Sequence, residues 1–336
     1  MIEEAIVSLS KGENLTAEAM SVIMEEILTG KSPTPQIVSF LVNLHEKGET
    51  IDEITAAVNV MRKFVTRVNS KHKVILDTCG TGGDKSGTFN VSTATAFVAS
   101  GAGIAVAKHG NRSVSSKSGS ADILEALGVN INLSKEKSEQ CLNEIGIAFL
   151  FAQNFHPAMK YASSARKQIG SKTIFNIIGP LSNPAFATHQ LVGVYDKKLL
   201  KIIPEVLLNL GTEHALVIHG NDGLDEITTT TGTFVSEVNN GEINEFELEP
   251  EDFGIKRTAL GELKGDDPSG NAKILIKILQ GEKGPLRDMV ILNAAAAIYC
   301  ADQADSIHSG IRLAERSIDS GSAIGKLQLL KEYSNQ

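Results

Sequence analysis

The chain has 336 residues, 42% of them hydrophobic and 21% charged, the composition of a folded globular protein with room for one large domain or two. A net charge of −8 argues against a nucleic-acid groove as its main surface; no stretch is apolar enough to span a membrane, and the acidic opening segment lacks the apolar run of a secretory signal. Cys79, Cys141 and Cys300 are odd in number and show no CxxC spacing, so neither a disulfide framework nor a zinc site is suggested, and a reduced, cytoplasmic protein is expected.

The first seventy residues read as helices alone. Ile2, Ala5, Ile6 and Leu9 form one apolar stripe. Thr16 reads as the cap of a helix through Met20, Ile23 and Ile27, closed by Gly30, and Thr34-Pro35 as a cap followed by proline at the first helical position. That third helix carries Ile37, Phe40, Leu41 and Leu44, and Gly48 ends it. Thr50 and Glu53 form a capping box for a fourth helix running towards Val65.

From Val74-Ile75-Leu76 onward the pattern alternates. Ile104–Ala107, Ile147–Ala152, Leu191–Val194 and Ala215–Ile218 read as strands, with helical stretches such as Leu199–Leu210 between them, which predicts a mainly parallel sheet flanked by helices. Thr233–Val238, the turn Asn239-Asn240-Gly241 and Ile243–Leu248 read as a β-hairpin. Helices resume from Ala272, with a closely packing alanine-rich stretch at Asn293–Ala297. A second helical segment near 157–180 is the natural partner of the first. The expected organisation is therefore a small all-helical domain, residues 1–70 with that returning insert, and a large α/β domain of residues 71–156 and 181–336.

The chemistry concentrates in three places. Asp77-Thr78-Cys79-Gly80-Thr81-Gly82-Gly83-Asp84 is a strand entering a glycine-rich turn, followed by Thr88, Asn90, Val91, Ser92 and Thr93 where a helix starts. Glycines let several N–H groups converge on an anion, and the helix start adds more. Neither the P-loop nor the GxGxxG spacing is met, and such a turn serves equally well to pack a strand on a helix. A second strand leads into Lys108, His109, Gly110, Asn111 and Arg112, then Ser113, Val114, Ser115, Ser116 and Ser120. Two polar loops at strand ends suggest one crevice for ribose and phosphate oxygens. Third, Asp225-Glu226 follows the strand Ala215–Ile218. Alone it reads as an acidic surface turn; beside a polyphosphate site it suits Mg2+.

Together these elements resemble the anthranilate phosphoribosyltransferase family, in GTGGD (Gly80–Asp84), NVST (Asn90–Thr93), KHGNR (Lys108–Arg112), SGSAD (Ser118–Asp122) and the Asp225-Glu226 pair. The likeness extends through Phe151-Ala152-Gln153, His156–Met159, Arg166 and Phe175–Leu181 to Asp252-Phe253-Gly254, and so covers essentially the whole chain. It implies a nucleoside-phosphorylase-like fold, a homodimer through the helical domain, and transfer of 5-phosphoribosyl from phosphoribosyl pyrophosphate (PRPP) to the amine of anthranilate, in tryptophan biosynthesis. By position it implies PRPP at Gly80, Gly83, Asp84, Thr88, Asn90 to Thr93, Lys108 to Ser116 and Ser120. It implies anthranilate at Gly80, Asn111 and Arg166, and magnesium, two ions per site, at Ser92, Asp225 and Glu226. No acid–base dyad is implied. His109 and His156 stay open between lining the acceptor channel and a structural role. The rival readings are a pyrimidine nucleoside phosphorylase, which has no need of the Asp-Glu pair, and a nucleotide- or nucleic-acid-binding paralogue without transfer activity.

Overall fold

The computed structural model describes residues 1–83, 86–113 and 118–336. It opens with helices α1 (Ile2–Ser10), α2 (Ala17–Leu28), α3 (Thr34–Lys47) and α4 (Ile51–Lys63). Thr16 accepts from the Ala19 amide, and Thr50 and Glu53 form a reciprocal box at the start of α4. Glu53 is fully buried, yet it also accepts from the Leu15 amide at 2.8 Å and pairs with Lys47 at 2.7 Å, so its charge is satisfied. Thr34 is the first residue of α3 and not its cap, a shift of one position, because Pro33 holds the extended cap conformation. The stripes of these helices, among them Ile23, Ile27, Phe40, Leu41, Leu44 and Ile54, meet in a single buried cluster.

The chain then runs through β1 (Leu76–Gly80), α5 (Val91–Gly101), β2 (Val106–Gly110), α6 (Ser120–Ala126), α7 (Lys135–Gln140) and β3 (Ile147–Phe151). Next come α8 (Ala152–Phe155), α9 (Lys160–Ile169), α10 (Ile174–Ile178), β4 (His189–Gly193), α11 (Leu199–Asn209) and β5 (His214–Gly220). A hairpin of β6 (Thr233–Asn239) and β7 (Glu242–Leu248) precedes α12 (Pro268–Leu279), α13 (Pro285–Cys300), α14 (Ile307–Asp319) and α15 (Ser322–Ser334). Asn240 and Gly241 both have positive φ, the turn that matches the twist of a two-residue hairpin.

The seven strands lie in the order β3-β2-β1-β4-β5-β6-β7. The first five are mutually parallel, and β6 and β7 add antiparallel. From β1 the chain builds outward to β2 and β3, then returns to lay β4 on the other side of β1. The order thus switches between β1 and β4, where open α/β sheets bind ligands beyond the strand carboxyl ends. The strands alternate between two cores. Leu216 and Ile218 of β5 join the cluster with α5 and α12 to α15, while Ala215 and Val217 join the one that continues through α11 into the helical unit. The returning helices dock there as well. Ala162 and Ala165 of α9 are buried in that cluster, and a side chain on Gly30 would stand 2.7 Å from the Tyr161 ring.

Strands β1 and β2 begin later and run further than hydrophobicity indicates, taking in Asp77, Thr78, Lys108 and His109, which read as loop. These polar residues tolerate strand positions at the centre of the sheet because they bond to one another's segments.

Candidate active site

Four strands meet the crevice with glycine as their last residue: Gly80, Gly110, Gly193 and Gly220. At Gly193 the reason is steric, since an added Cβ would stand 1.7 Å from the Asp225 carbonyl oxygen. The loop after β5 therefore crosses the bare end of β4 and delivers the Asp225 carboxylate to β1, where Oδ2 accepts from the Gly82 amide at 2.9 Å. The same oxygen lies 3.0 Å from the position of a Cβ on Gly80. The turn is braced from β4 by the Thr81 amide on Gly193 O at 2.9 Å and the Tyr195 amide on Thr81 Oγ1 at 3.0 Å.

Helix α5 starts beside it. Asn90 caps it by accepting from the Thr93 amide at 3.0 Å, which puts Ser92 in the first turn with its hydroxyl towards the crevice. Lys108 Nζ donates to Ser92 Oγ at 3.1 Å and to Thr78 O at 2.5 Å, so an almost fully buried ammonium underlies the crevice. Its counter-charge is Asp77, one oxygen of which accepts from the His109 amide at 3.1 Å and the other from Asn183 Nδ2 at 2.7 Å. Burial lowers the Lys108 pKa, with Asp77 opposing. Burial likewise pushes Asp77 up to about 6, with Lys108 and the Asn183 and His109 bonds pulling the other way. Val91 is buried, so only its main chain can serve a ligand. Thr88 bridges to Lys264 and shares its hydroxyl with Ser86 at 3.1 Å.

His109 and His156 lie with ring centroids 5.0 Å apart and planes tilted by 44°, and the buried Nε2 of each has no partner among the described residues. Burial, then the neighbouring His156 and Lys108, hold His109 well below its ordinary range, and burial takes His156 to about 4. Both rings are therefore neutral at physiological pH. Beyond β2, Asn111 accepts the Arg112 amide at 2.8 Å. The Arg112 guanidinium turns away to α6, bonding Asp122 at 3.0 Å and Glu125 at 2.8 Å, so the side chain is spent on helix acids while its main chain stays in the loop. The Ser113 amide donates to Asp122 Oδ2 at 3.1 Å, and Ser120 opens α6 against Gly110. Asp84, Val114, Ser115 and Ser116 lie outside the described residues. Arg166 stands apart on α9, half-buried, with its guanidinium 5.4 Å from the Phe175 ring centroid. Among the described residues no carboxylate pairs with it. Burial lowers its pKa, but an arginine stays charged.

The geometry adds residues that sequence reading passed over. Asn293, noted only in an alanine-rich helix, accepts the Ile227 amide at 3.0 Å and donates to Ile227 O at 2.7 Å, fixing the segment after Asp225-Glu226. Leu263 to Gly265 lie along Thr88 and Phe89, with the Phe89 amide on Leu263 O at 3.1 Å. Asn183 also holds Ala107 O at 2.8 Å. Nothing local in the sequence marks these pairings, because the partners are distant in the chain.

Ser92, Asp225 and Glu226 offer hard oxygen donors of the kind that suits Mg2+, which binds through one or two carboxylates plus substrate phosphates. Among the described residues no three His, Cys, Asp or Glu side chains converge into a closed metal cage. The residues fit an ion completed by substrate.

Residues 3–65 match the helical bundle domain of a glycosyl transferase family, and residues 72–324 match that family's a/b domain. The chain belongs to this family, whose members join a helical bundle to an α/β domain. An anthranilate phosphoribosyltransferase of Petrotoga mobilis is 50% identical over 97% of this chain and 94% of its own length. The crystal structure of anthranilate phosphoribosyltransferase from Thermus thermophilus is 38% identical and superposes with a TM-score of 0.94 over 99% of both chains. The enzyme from Saccharomyces cerevisiae in complex with PRPP and Mg is 27% identical, with a TM-score of 0.91 over 99% of this chain and 98% of its own. Within the family, this chain belongs to the anthranilate phosphoribosyltransferases.

Proposed function

We propose that the crevice at the β1/β4 switch binds PRPP with Mg2+ and that α9 presents anthranilate to it. The observation that carries this reading is the passage of Asp225 over Gly193 onto the Gly82 amide, which joins a pair of carboxylates to an amide-rich turn. Gly80, Gly83, Thr88, Asn90 to Thr93, Lys108 to Ser113 and Ser120 line the donor site, with Asp84 and Val114 to Ser116 assigned by the family pattern. Ser92, Asp225 and Glu226 hold two ions. When bound, Mg2+ neutralises charge on the departing pyrophosphate.

The residues of this chain supply the rest by position. The amides of the glycine turn and of the α5 start, with Lys108, stabilise negative charge as the sugar C1–O bond breaks. Arg166 takes the anthranilate carboxylate in two parallel hydrogen bonds, and Asn111 orients the ring. Neutral His109 and His156 suit an uncharged acceptor path. The arylamine is unprotonated at neutral pH, so its lone pair attacks C1 with no strong general base required. In the cell we read the protein as a cytoplasmic homodimer joined through the helical unit, where Val7 and Val22 remain exposed. The free, buried thiols accord with a reducing compartment. We assign residues 1–70 and 157–180 to the small domain, on the shared cluster of α1 to α4 with α9 and α10.

Loss of anthranilate fluorescence tests the reading. The folded protein should consume anthranilate with PRPP and Mg2+ together and with neither alone. No loss at saturating PRPP and Mg2+ overturns it.

A further inference from the structure

The linker between α9 and α10 carries a lysine that the family pattern of site residues does not include. Lys172 lies two residues beyond Gly170, the left-handed residue that ends α9, and one before Thr173, which caps α10. It is half-buried and reaches out of the helical unit to the glycine turn after β1. A side chain built on Gly83 would stand 2.7 Å from Lys172 Cε and 3.1 Å from Nζ. On its other side, Nζ lies 3.0 Å from the centroid of the Tyr195 ring. Tyr195 is tied to the same turn through its amide on Thr81 Oγ1. The end of the side chain is thus held between a glycine and an aromatic face, which places the ammonium beside the glycine turn.

Charge around the turn gives this placement a purpose. PRPP carries a monophosphate and a diphosphate, and the site already holds Asp225 and Glu226. The Arg112 guanidinium is neutralised by Asp122 and Glu125. Lys108 approaches from beneath, through Ser92 and Thr78. Lys172 brings a second ammonium from the opposite, helical side. We propose that Lys172 is a further PRPP-binding residue, a cation that the helical unit lays over the glycine turn to meet a donor phosphate. This inference rests on the PRPP reading of the site.

The test is calorimetric titration of Mg2+·PRPP into the full-length wild type and into Lys172→Met and Lys172→Arg, with KM for each substrate and melting temperature measured alongside. Methionine keeps the stem between Gly83 and Tyr195 and removes only the charge. Lys172→Met should weaken PRPP binding about tenfold, the worth of one charge-assisted contact. Its anthranilate KM should stay within about twofold and its melting temperature near that of the wild type; Lys172→Arg should recover most of the affinity. PRPP binding by Lys172→Met equal to the wild type overturns the proposal. So does a drop in melting temperature with equal weakening for both substrates, which marks a structural role. A wild type that does not bind Mg2+·PRPP overturns the parent reading instead, so the two failures are told apart.

Discussion

The two ends of the central strands use buried polar groups in opposite ways. At the amino ends, His189 opens β4 and His214 opens β5, and both are closed off by acids. Asp302 bonds His189 at 3.2 Å and His214 at 2.9 Å, and Glu237 bonds the other nitrogen of His214 at 2.9 Å and accepts from Tyr299 at 2.7 Å. Asp302 adopts a positive φ to reach both rings. At the carboxyl ends, the same strands finish in glycine, and His109 and His156 keep a buried nitrogen with no partner among the described residues. A closed network stabilises the fold, whereas groups left without a partner cost stability and are available to a ligand.

The comparison breaks first at Gly193. Replacing Asp225 and Glu226 together by alanine should lower kcat/KM by about a thousandfold, as expected when a charge-stabilising group is lost. Gly193→Ala should lower it by about a hundredfold with both carboxylates intact, because its methyl displaces the loop that aims them. Wild-type turnover in Gly193→Ala would mean that the loop position does not matter. Arg166→Ala comes next: the anthranilate KM should rise about tenfold to a hundredfold while the PRPP KM barely changes. Equal rises for both would make Arg166 structural.

The smallest effect belongs to the amino end. Burial disfavours charge on His214, but its bonds to Glu237 and Asp302 outweigh that and raise its pKa above the ordinary value. A raised folded pKa contributes stability that is complete below the unfolded value and is lost as pH rises through the folded one. Burial raises both acids, but the histidine bonds prevail and hold Glu237 and Asp302 low. Their contribution is therefore constant across neutral pH and fades only in acid. The melting temperature should fall by about 1–3 °C between roughly pH 6 and pH 9, and His214→Gln should flatten that fall while leaving kcat unchanged. A persisting fall in His214→Gln would place the titrating group elsewhere.

Much of this was legible without coordinates, and for identifiable reasons. The caps at Thr16 and Thr50, the Asn240-Gly241 turn and the alternation of strands and helices are local signals, each set by neighbours a few residues away. The family motifs marked the glycine-rich loop and the Asp225-Glu226 pair as candidates for the donor site. Strands β1 and β2 run past the limits that hydrophobicity sets, because hydrophobicity stops where Asp77 and Lys108 begin, and those charges are acceptable in a strand only once Asn183, His109 and Thr78 answer them. Asn293, Leu263 and Lys172 carried no signal at all. Their importance comes from Ile227, Phe89 and Gly83, distant in sequence or on another element.

The sequence by itself determined the class of fold and the family, and marked candidate residues for phosphate and metal, since these depend on residue type, spacing and order. The tertiary structure alone decided which groups act together: Asp225 over Gly193, Arg112 turned onto α6, and Lys172 brought to the glycine turn. Such contacts arise from packing between segments far apart in the chain, and only the assembled sheet with its docked helical unit brings them within reach.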